Sequence, residues 1–236
     1  MRLGSPCLGR AASDYRWLLD RGYAGRAALK LVGDKYQMTR DERIILFRGV
    51  ASSAASVSRA AALVETAAGR SLLVDGYNQV LTVMHYLTGR PLFLGTDGLV
   101  RDAGGSHGRI ADQERFERAA GALFGLFAAQ RPSRLAVFLD APFPGSAGHA
   151  ALFRTLLESV GLGAEVALER SADYPLKAAP PGSVVATSDS CVADAAAASG
   201  SGVYDSARWA IDFAFGHVDY LDMALLAGVP IESMER

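Results

Sequence analysis

Three aspartates each close a short apolar run. Leu72-Leu73-Val74 ends at Asp75, Leu135-Ala136-Val137-Phe138-Leu139 ends at Asp140, and Val184-Val185-Ala186-Thr187-Ser188 ends at Asp189. If each run is a strand of one parallel sheet, the three carboxylates emerge on one edge. In open α/β sheets the ligand crevice lies beyond that edge. A single aspartate after a strand carries little information, because Asp is also a common helix N-cap. Three on one edge are harder to dismiss. Carboxylates brought together repel, so either some hold protons or a cation sits among them. Hard oxygen donors in this number suit Mg²⁺ or Mn²⁺. Such an ion can activate water and clamp the oxygens of a phosphodiester.

Other chemistries find no pattern. There is no P-loop, no dinucleotide-binding glycine fingerprint and no Gly-x-Ser-x-Gly elbow. His85, His107, His149 and His217 lack zinc spacing. Cys7 and Cys191 form neither a disulfide framework nor a metal knuckle, which fits a reducing compartment. Cys191, at a helix start with no evident base, reads as packing. Gly76-Tyr77 after Asp75 excludes the Asp-x-Asp nucleophile of phosphatases.

The elements that must position the aspartates follow from periodicity. Before residue 71 the pattern predicts helices and no strand. Ala27, Ala28, Leu31 and Val32 make one apolar stripe, and Thr39-Arg40-Asp41-Glu42 is a capping box. An alanine-rich helix is expected over 53–68. From residue 71, strands at 71–75, 135–140, 165–169, 184–188 and 203–204 alternate with helices at 78–87, 112–130, 147–160, 189–199 and 206–215. Two short strands, 91–94 and 99–101, flank the turn Gly95-Thr96-Asp97-Gly98, and a glycine-rich loop follows over 102–108. Residues 171–181 read as a loop or broken helix. Alternating strands and helices imply a mainly parallel sheet with helices on both faces. The expected fold is therefore α/β, a mainly parallel sheet flanked by helices (70–236), preceded by a small basic all-helical domain (1–69).

Charge supports that division. The chain carries −1 overall, but residues 1–70 hold a net +6 and the remainder −7. Lys30, Lys35, Arg40, Arg43 and Arg48 could share a basic face able to dock a phosphate backbone; a solvated surface explains them equally well. No apolar run reaches the length of a membrane span, and the N-terminus lacks a signal-like apolar stretch. A cytoplasmic, soluble protein is expected, with no membrane partner.

Leu73-Val74-Asp75-Gly76-Tyr77-Asn78, Phe138-Leu139-Asp140 and Val185-Ala186-Thr187-Ser188-Asp189-Ser190 together resemble the motifs of PIN-like nucleases of the NYN type. Ser171-Ala172-Asp173 resembles the Thr-Ala-Asp element of the same superfamily, although Tyr174 replaces the acid that usually follows. The resemblance covers about residues 71–210. The layout is most similar to an uncharacterised prokaryotic family with a helical N-terminal domain, through Leu29-Lys30-Leu31-Val32-Gly33-Asp34, Asp97-Gly98, Arg101-Asp102, His107-Gly108 and the pair Asp189 and Asp194. The resemblance implies a metal-dependent ribonuclease. Asp75, Asp140 and Asp189 would be catalytic and hold Mg²⁺ or Mn²⁺, with Asp173, Asp194 and Asp102 as further ligand candidates. Asn78, Ser190, Arg101 and His107 would orient substrate, with Tyr77 beside Asn78. Met84-His85 stands where a fourth acid is expected.

Three readings follow. The first is a metal-dependent RNA endonuclease that binds RNA through its basic N-terminal helices, with a homodimer left open. The second is a non-catalytic RNA-binding or adaptor module on the same fold. The third is a small-molecule phosphatase using the same acidic edge.

Overall fold

A computed structural model describes residues 7–104 and 110–228. In chain order the elements are α1 (Leu8–Asp20), α2 (Gly25–Lys35), α3 (Arg40–Gly49), α4 (Ser53–Ala62), β1 (Ser71–Asp75), α5 (Gly76–Leu87), β2 (Leu92–Leu94), β3 (Val100–Asp102), α6 (Gln113–Gln130), β4 (Arg134–Asp140), α7 (Ser146–Ser159), β5 (Glu165–Glu169), α8 (Asp173–Lys177), β6 (Val184–Ala186), α9 (Ser190–Ser199), β7 (Gly202–Tyr204), α10 (Ser206–Phe215), β8 (Leu221–Asp222) and α11 (Met223–Leu226). Among the described residues no helix is long and apolar enough to cross a membrane.

Two compact units form. The larger spans residues 62–89 and 110–218 and contains a five-stranded sheet of order β5-β4-β1-β6-β7. Every pairing in it is parallel. The sheet is the α/β architecture that the alternating pattern predicts. Leu72, Val74, Val137, Leu139, Val184 and Val185 are buried, as strands covered on both faces require. From β1 the chain moves outward through β4 to β5, then returns to the other side of β1 for β6 and β7. The strand order therefore reverses between β1 and β6. In open α/β sheets such a reversal, beyond the strand ends, is where ligands bind.

Gly76 sets the geometry at the end of β1. A Cβ there would lie 2.6 Å from Leu139 Cδ2 and 3.0 Å from the Phe138 carbonyl oxygen. Only a residue without a side chain lets α5 start this close to β4. Helix α4 stops at Ala62, short of the expected 68. Leu63 bridges Val203 in parallel, and the Val64 N–H donates to the Val203 carbonyl at 2.9 Å. Pairing with β7 outweighs the helical propensity of the alanine-rich stretch.

The smaller unit holds residues 7–61, 90–104 and 219–228 of the described chain. It differs from the all-helical segment expected over 1–69. β2 and β3 form the expected antiparallel hairpin, and β8 from the tail joins β2 in parallel to make a second sheet. Phe93 on β2 and Met223 on α11 are buried in the same core as Leu8, Tyr15, Ile45 and Leu46. Burial of these two residues draws the hairpin and the tail into the helical unit. The capping box is present: Glu42 N–H donates to Thr39 Oγ1 at 3.3 Å, and Thr39 N–H donates to Glu42 Oε2 at 2.8 Å.

Candidate functional site

Parallel pairing puts the ends of β4, β1 and β6 on one edge, in that spatial order. Asp140 closes β4, Asp75 closes β1, and Thr187-Ser188-Asp189 follows β6. The same edge continues on both sides. β5 closes at Glu169, in register with Asp140, and Asp205 follows β7 as the N-cap of α10. All five parallel strands thus run into an acidic residue. Gly202-Val203-Tyr204-Asp205 repeats the apolar-run-then-aspartate signal and was legible in the sequence.

Of Asp75, Asp140 and Asp189, Asp75 lies deepest, at 6% exposure. Its Oδ2 accepts the Thr187 hydroxyl at 3.1 Å, and Thr187 Oγ1 accepts the Asp189 N–H at 3.0 Å. Burial pushes the Asp75 carboxyl up to about 7. The Thr187 hydrogen bond pulls the other way, while the charges of Asp189, Asp140 and Asp173 add to the rise. Each of these three acids is close enough to act on Asp75.

Each neighbour is also held by the protein. Asp140 Oδ1 accepts the Ala172 N–H at 3.0 Å. Asp189 caps α9, its Oδ1 accepting from Cys191 N at 2.8 Å and Val192 N at 3.1 Å. Asp173 Oδ2 pairs with Lys177 Nζ at 2.6 Å. Among the described residues, no protein donor meets the second carboxylate oxygen of Asp75, Asp140, Asp173 or Asp189. That donor set fits a hard divalent ion in its chemistry. As placed, no group of three or more His, Cys, Asp or Glu side chains among the described residues converges to hold a metal ion. Holding one would need side-chain rotation at the strand ends.

Asn78 braces the segment that follows β6. Its Oδ1 accepts from Ser188 N at 2.8 Å, Ser188 Oγ at 2.9 Å and Gln79 Nε2 at 2.7 Å. A backbone N–H can only donate, so the Asn78 oxygen must face Ser188 and its NH₂ remains a donor. Gln79, fully buried, passes the network on: its Oε1 accepts from Ser206 Oγ at 2.7 Å and Ala207 N at 2.8 Å. This ties the start of α5 to the first turn of α10. Sequence reasoning missed Gln79, since one glutamine in a helix carries no signal.

The other expected site residues have varied surroundings. Ser190 is half-buried in the first turn of α9, and Asp194 is exposed further along it. The Tyr77 ring stacks on Phe143 at 4.2 Å and its hydroxyl meets His149 Nδ1 at 2.9 Å in a buried pair. Arg101 and Asp102 make their contacts inside the smaller unit. They belong to the hairpin of the smaller unit, where packing of β2 into the core buries them. Arg101, at 2% exposure, grips both oxygens of Asp97 at 2.7 and 2.8 Å, and Arg59 joins at 2.8 Å. Asp102 Oδ1 accepts from Gly104 N at 2.7 Å and Arg48 Nη1 at 3.3 Å. These contacts occupy both side chains within that unit. His107 lies outside the described residues.

The expected basic face is largely neutralised. Lys30 and Arg43 pair with Asp34, Lys35 pairs with Asp14, and Arg48 pairs with Asp102.

An open α/β protein with an acidic edge at the reversal of its strand order is the class that fold and site define. The chain belongs to the family described as Domain of unknown function (DUF5616), whose model matches residues 64–201. A second model, Protein of unknown function (DUF434), matches residues 7–61. The Uncharacterized protein MJ0935 of Methanocaldococcus jannaschii is similar, 25% identical over 185 residues, which cover 78% of this chain and 87% of that protein. No solved structure matches the chain.

Proposed function

We propose that the chain is a metal-dependent RNA endonuclease of the PIN-like, NYN type, acting at the β4–β1–β6 edge. One observation carries the reading. Asp140 and Asp75 end neighbouring parallel strands, Asp189 follows the third, and burial together with the charges of Asp189, Asp140 and Asp173 pushes the Asp75 carboxyl up to about 7. Clustered carboxylates under that repulsion gain from a divalent cation. Mg²⁺ or Mn²⁺ held by Asp75, Asp140 and Asp189 would supply an activated water and neutralise charge on the scissile phosphate. Thr187 fixes the orientation of Asp75. The Asn78 NH₂, its oxygen locked by Ser188, is a donor for a phosphate oxygen. RNA affinity would draw on Arg40 and on cations of the helical unit that exchange carboxylate partners for phosphates. A cytoplasmic setting belongs to the same reading, and a homodimer stays open within it.

The test is Mn²⁺-dependent cleavage of a mixed RNA pool by wild type, Asp75→Asn and Asp189→Asn. The reading expects both variants to lose cleavage; equal activity in all three sinks it. A second reading, a non-catalytic RNA-binding module, draws on a different observation. Oδ1 of Asp140, Oδ1 of Asp189 and Oδ2 of Asp173 already have protein donors. It expects salt-dependent RNA binding without cleavage in any of the three proteins.

A further inference from the structure

Residues 15–33 carry Arg16, Arg21, Arg26 and Lys30 against a single acid, Asp20. The same stretch exposes two large aromatic side chains. Trp17 on α1 and Tyr23 between α1 and α2 are each 52% exposed, although tryptophan is highly buried on average. Phe47 of α3, 44% exposed, comes up to the start of α2: a methyl on Gly25 would lie 3.7 Å from its Cε2. We infer that the last turn of α1 and the start of α2 bind single-stranded RNA, with bases stacking on Trp17 and Tyr23 and phosphates meeting Arg21 and Arg26. The inference rests on the RNA reading above and draws nothing from the acidic edge. It puts RNA affinity on residues outside the expected basic face.

Three observations favour this occupant. The Arg21 guanidinium lies over the Trp17 ring, 3.5 Å from its centroid, and its Nη1 donates to the Trp17 carbonyl oxygen at 3.2 Å. A guanidinium held flat against a half-exposed ring sets a phosphate-binding fork beside a stacking surface. The nearby acid is turned to α4: Asp20 Oδ1 accepts from Ser53 N at 2.6 Å and Oδ2 from Ser53 Oγ at 2.7 Å. Among the described residues no carboxylate pairs with Arg21 or Arg26, whereas Lys30, Lys35, Arg43 and Arg48 are all paired. Uncompensated positive charge set among exposed rings complements a chain that carries phosphates and unpaired bases together. A duplex keeps its base faces inside the stack and offers such rings nothing to stack on.

The experiment is fluorescence-anisotropy binding of labelled oligo(U) to the full chain in EDTA at low salt, for wild type, Trp17→Ala, Trp17→Phe, Arg21→Gln and Lys30→Gln. Thermal melts run alongside confirm folding of each. The expected result is binding about five- to 150-fold weaker in Trp17→Ala, largely recovered in Trp17→Phe. Arg21→Gln weakens binding and lowers its salt dependence by about one phosphate contact, while Lys30→Gln stays near wild type. The chain has two tryptophans, Trp17 and Trp209. Oligo(U) is expected to quench emission in Trp209→Phe and not in Trp17→Phe. Unchanged affinity in Trp17→Ala, with wild type binding oligo(U), overturns the inference and leaves the RNA reading standing. Binding that appears only when Mn²⁺ replaces EDTA has the same meaning. No binding by any of the proteins, with EDTA or with Mn²⁺, overturns both. Trp17 emission that follows protein concentration and ignores oligo(U) marks a contact between copies and also overturns it.

Discussion

Thr187 donates its hydroxyl hydrogen to Asp75 Oδ2 across 3.1 Å and accepts the Asp189 N–H with the same oxygen. One side chain on the β6 strand end thereby fixes two of the three strand-end aspartates. Its hydrogen bond also favours the charged form of a carboxyl that burial and three neighbouring acids oppose. Thr187→Val keeps the volume and removes both bonds. The carboxyl of Asp75, followed by NMR titration, is then expected to titrate higher than about 7, and the fold to lose about 1–2 kcal/mol. A downward or absent change would show that the bond does not tune Asp75.

The metal-free protein has a pH signature of defined sign. Folded Asp75 keeps its proton to about 7, whereas the unfolded chain releases it near 3.8. Between those values the folded state binds the extra proton, so stability falls as pH rises. The contribution is fully present below 3.8 and is lost by the time pH passes 7. The groups acting on Asp75 are Asp189, Asp140 and Asp173, the last of them paired with Lys177. Over this window the loss amounts to a few kcal/mol. Chemical denaturation at pH 5 and pH 8 should show the loss in wild type, and a smaller one in Asp75→Asn.

The buried Arg59–Asp97–Arg101 cluster predicts the opposite slope at acid pH. Burial alone would raise the Asp97 carboxyl, but the Arg101 and Arg59 guanidiniums overcome it and hold it at about 2. The depressed value stabilises the fold fully above about 4, and the effect is lost as pH falls toward 2. Asp97→Ala removes the carboxylate shared by two buried guanidiniums and is expected to cost about 3–5 kcal/mol in a denaturant melt. A cost near zero would mean that the arginines find other partners.

Gly76→Ala tests the close approach at the start of α5. The added methyl would meet Leu139 Cδ2, which can move, and the Phe138 carbonyl oxygen, which is held in the sheet. A loss of about 1–3 kcal/mol is expected. An unchanged melting temperature would show that α5 can shift away from β4.

Much of this was legible in the sequence where the signal is local. Buried parallel strands read as continuous apolar runs, so the runs ending at Asp75 and Asp140 stood out. The Thr39–Glu42 capping box needs only four residues. What stayed hidden depends on distant partners. Two-residue β8 has no periodicity of its own and exists because β2 offers an edge. Phe93 reads like any hairpin phenylalanine until its burial in the helical core is seen, and for that reason a cut near residue 69 divides the chain differently from the structure. Arg101 carries the same letter whether it grips a phosphate or a buried aspartate; only its burial against Asp97 decides between them. Thr187 reaches Asp75 only once β6 is placed beside β1.

The central claim is that the β4–β1–β6 edge holds a divalent cation. The most direct measurement is anomalous difference density from crystals of the full chain soaked in Mn²⁺ at pH 8, where Asp75 has lost its proton. The account predicts a peak roughly 2.0–2.6 Å from an oxygen of Asp75 and from an oxygen of Asp140 or Asp189. Well-ordered strand ends without such a peak, at Mn²⁺ concentrations that populate other sites in the same crystal, would contradict it.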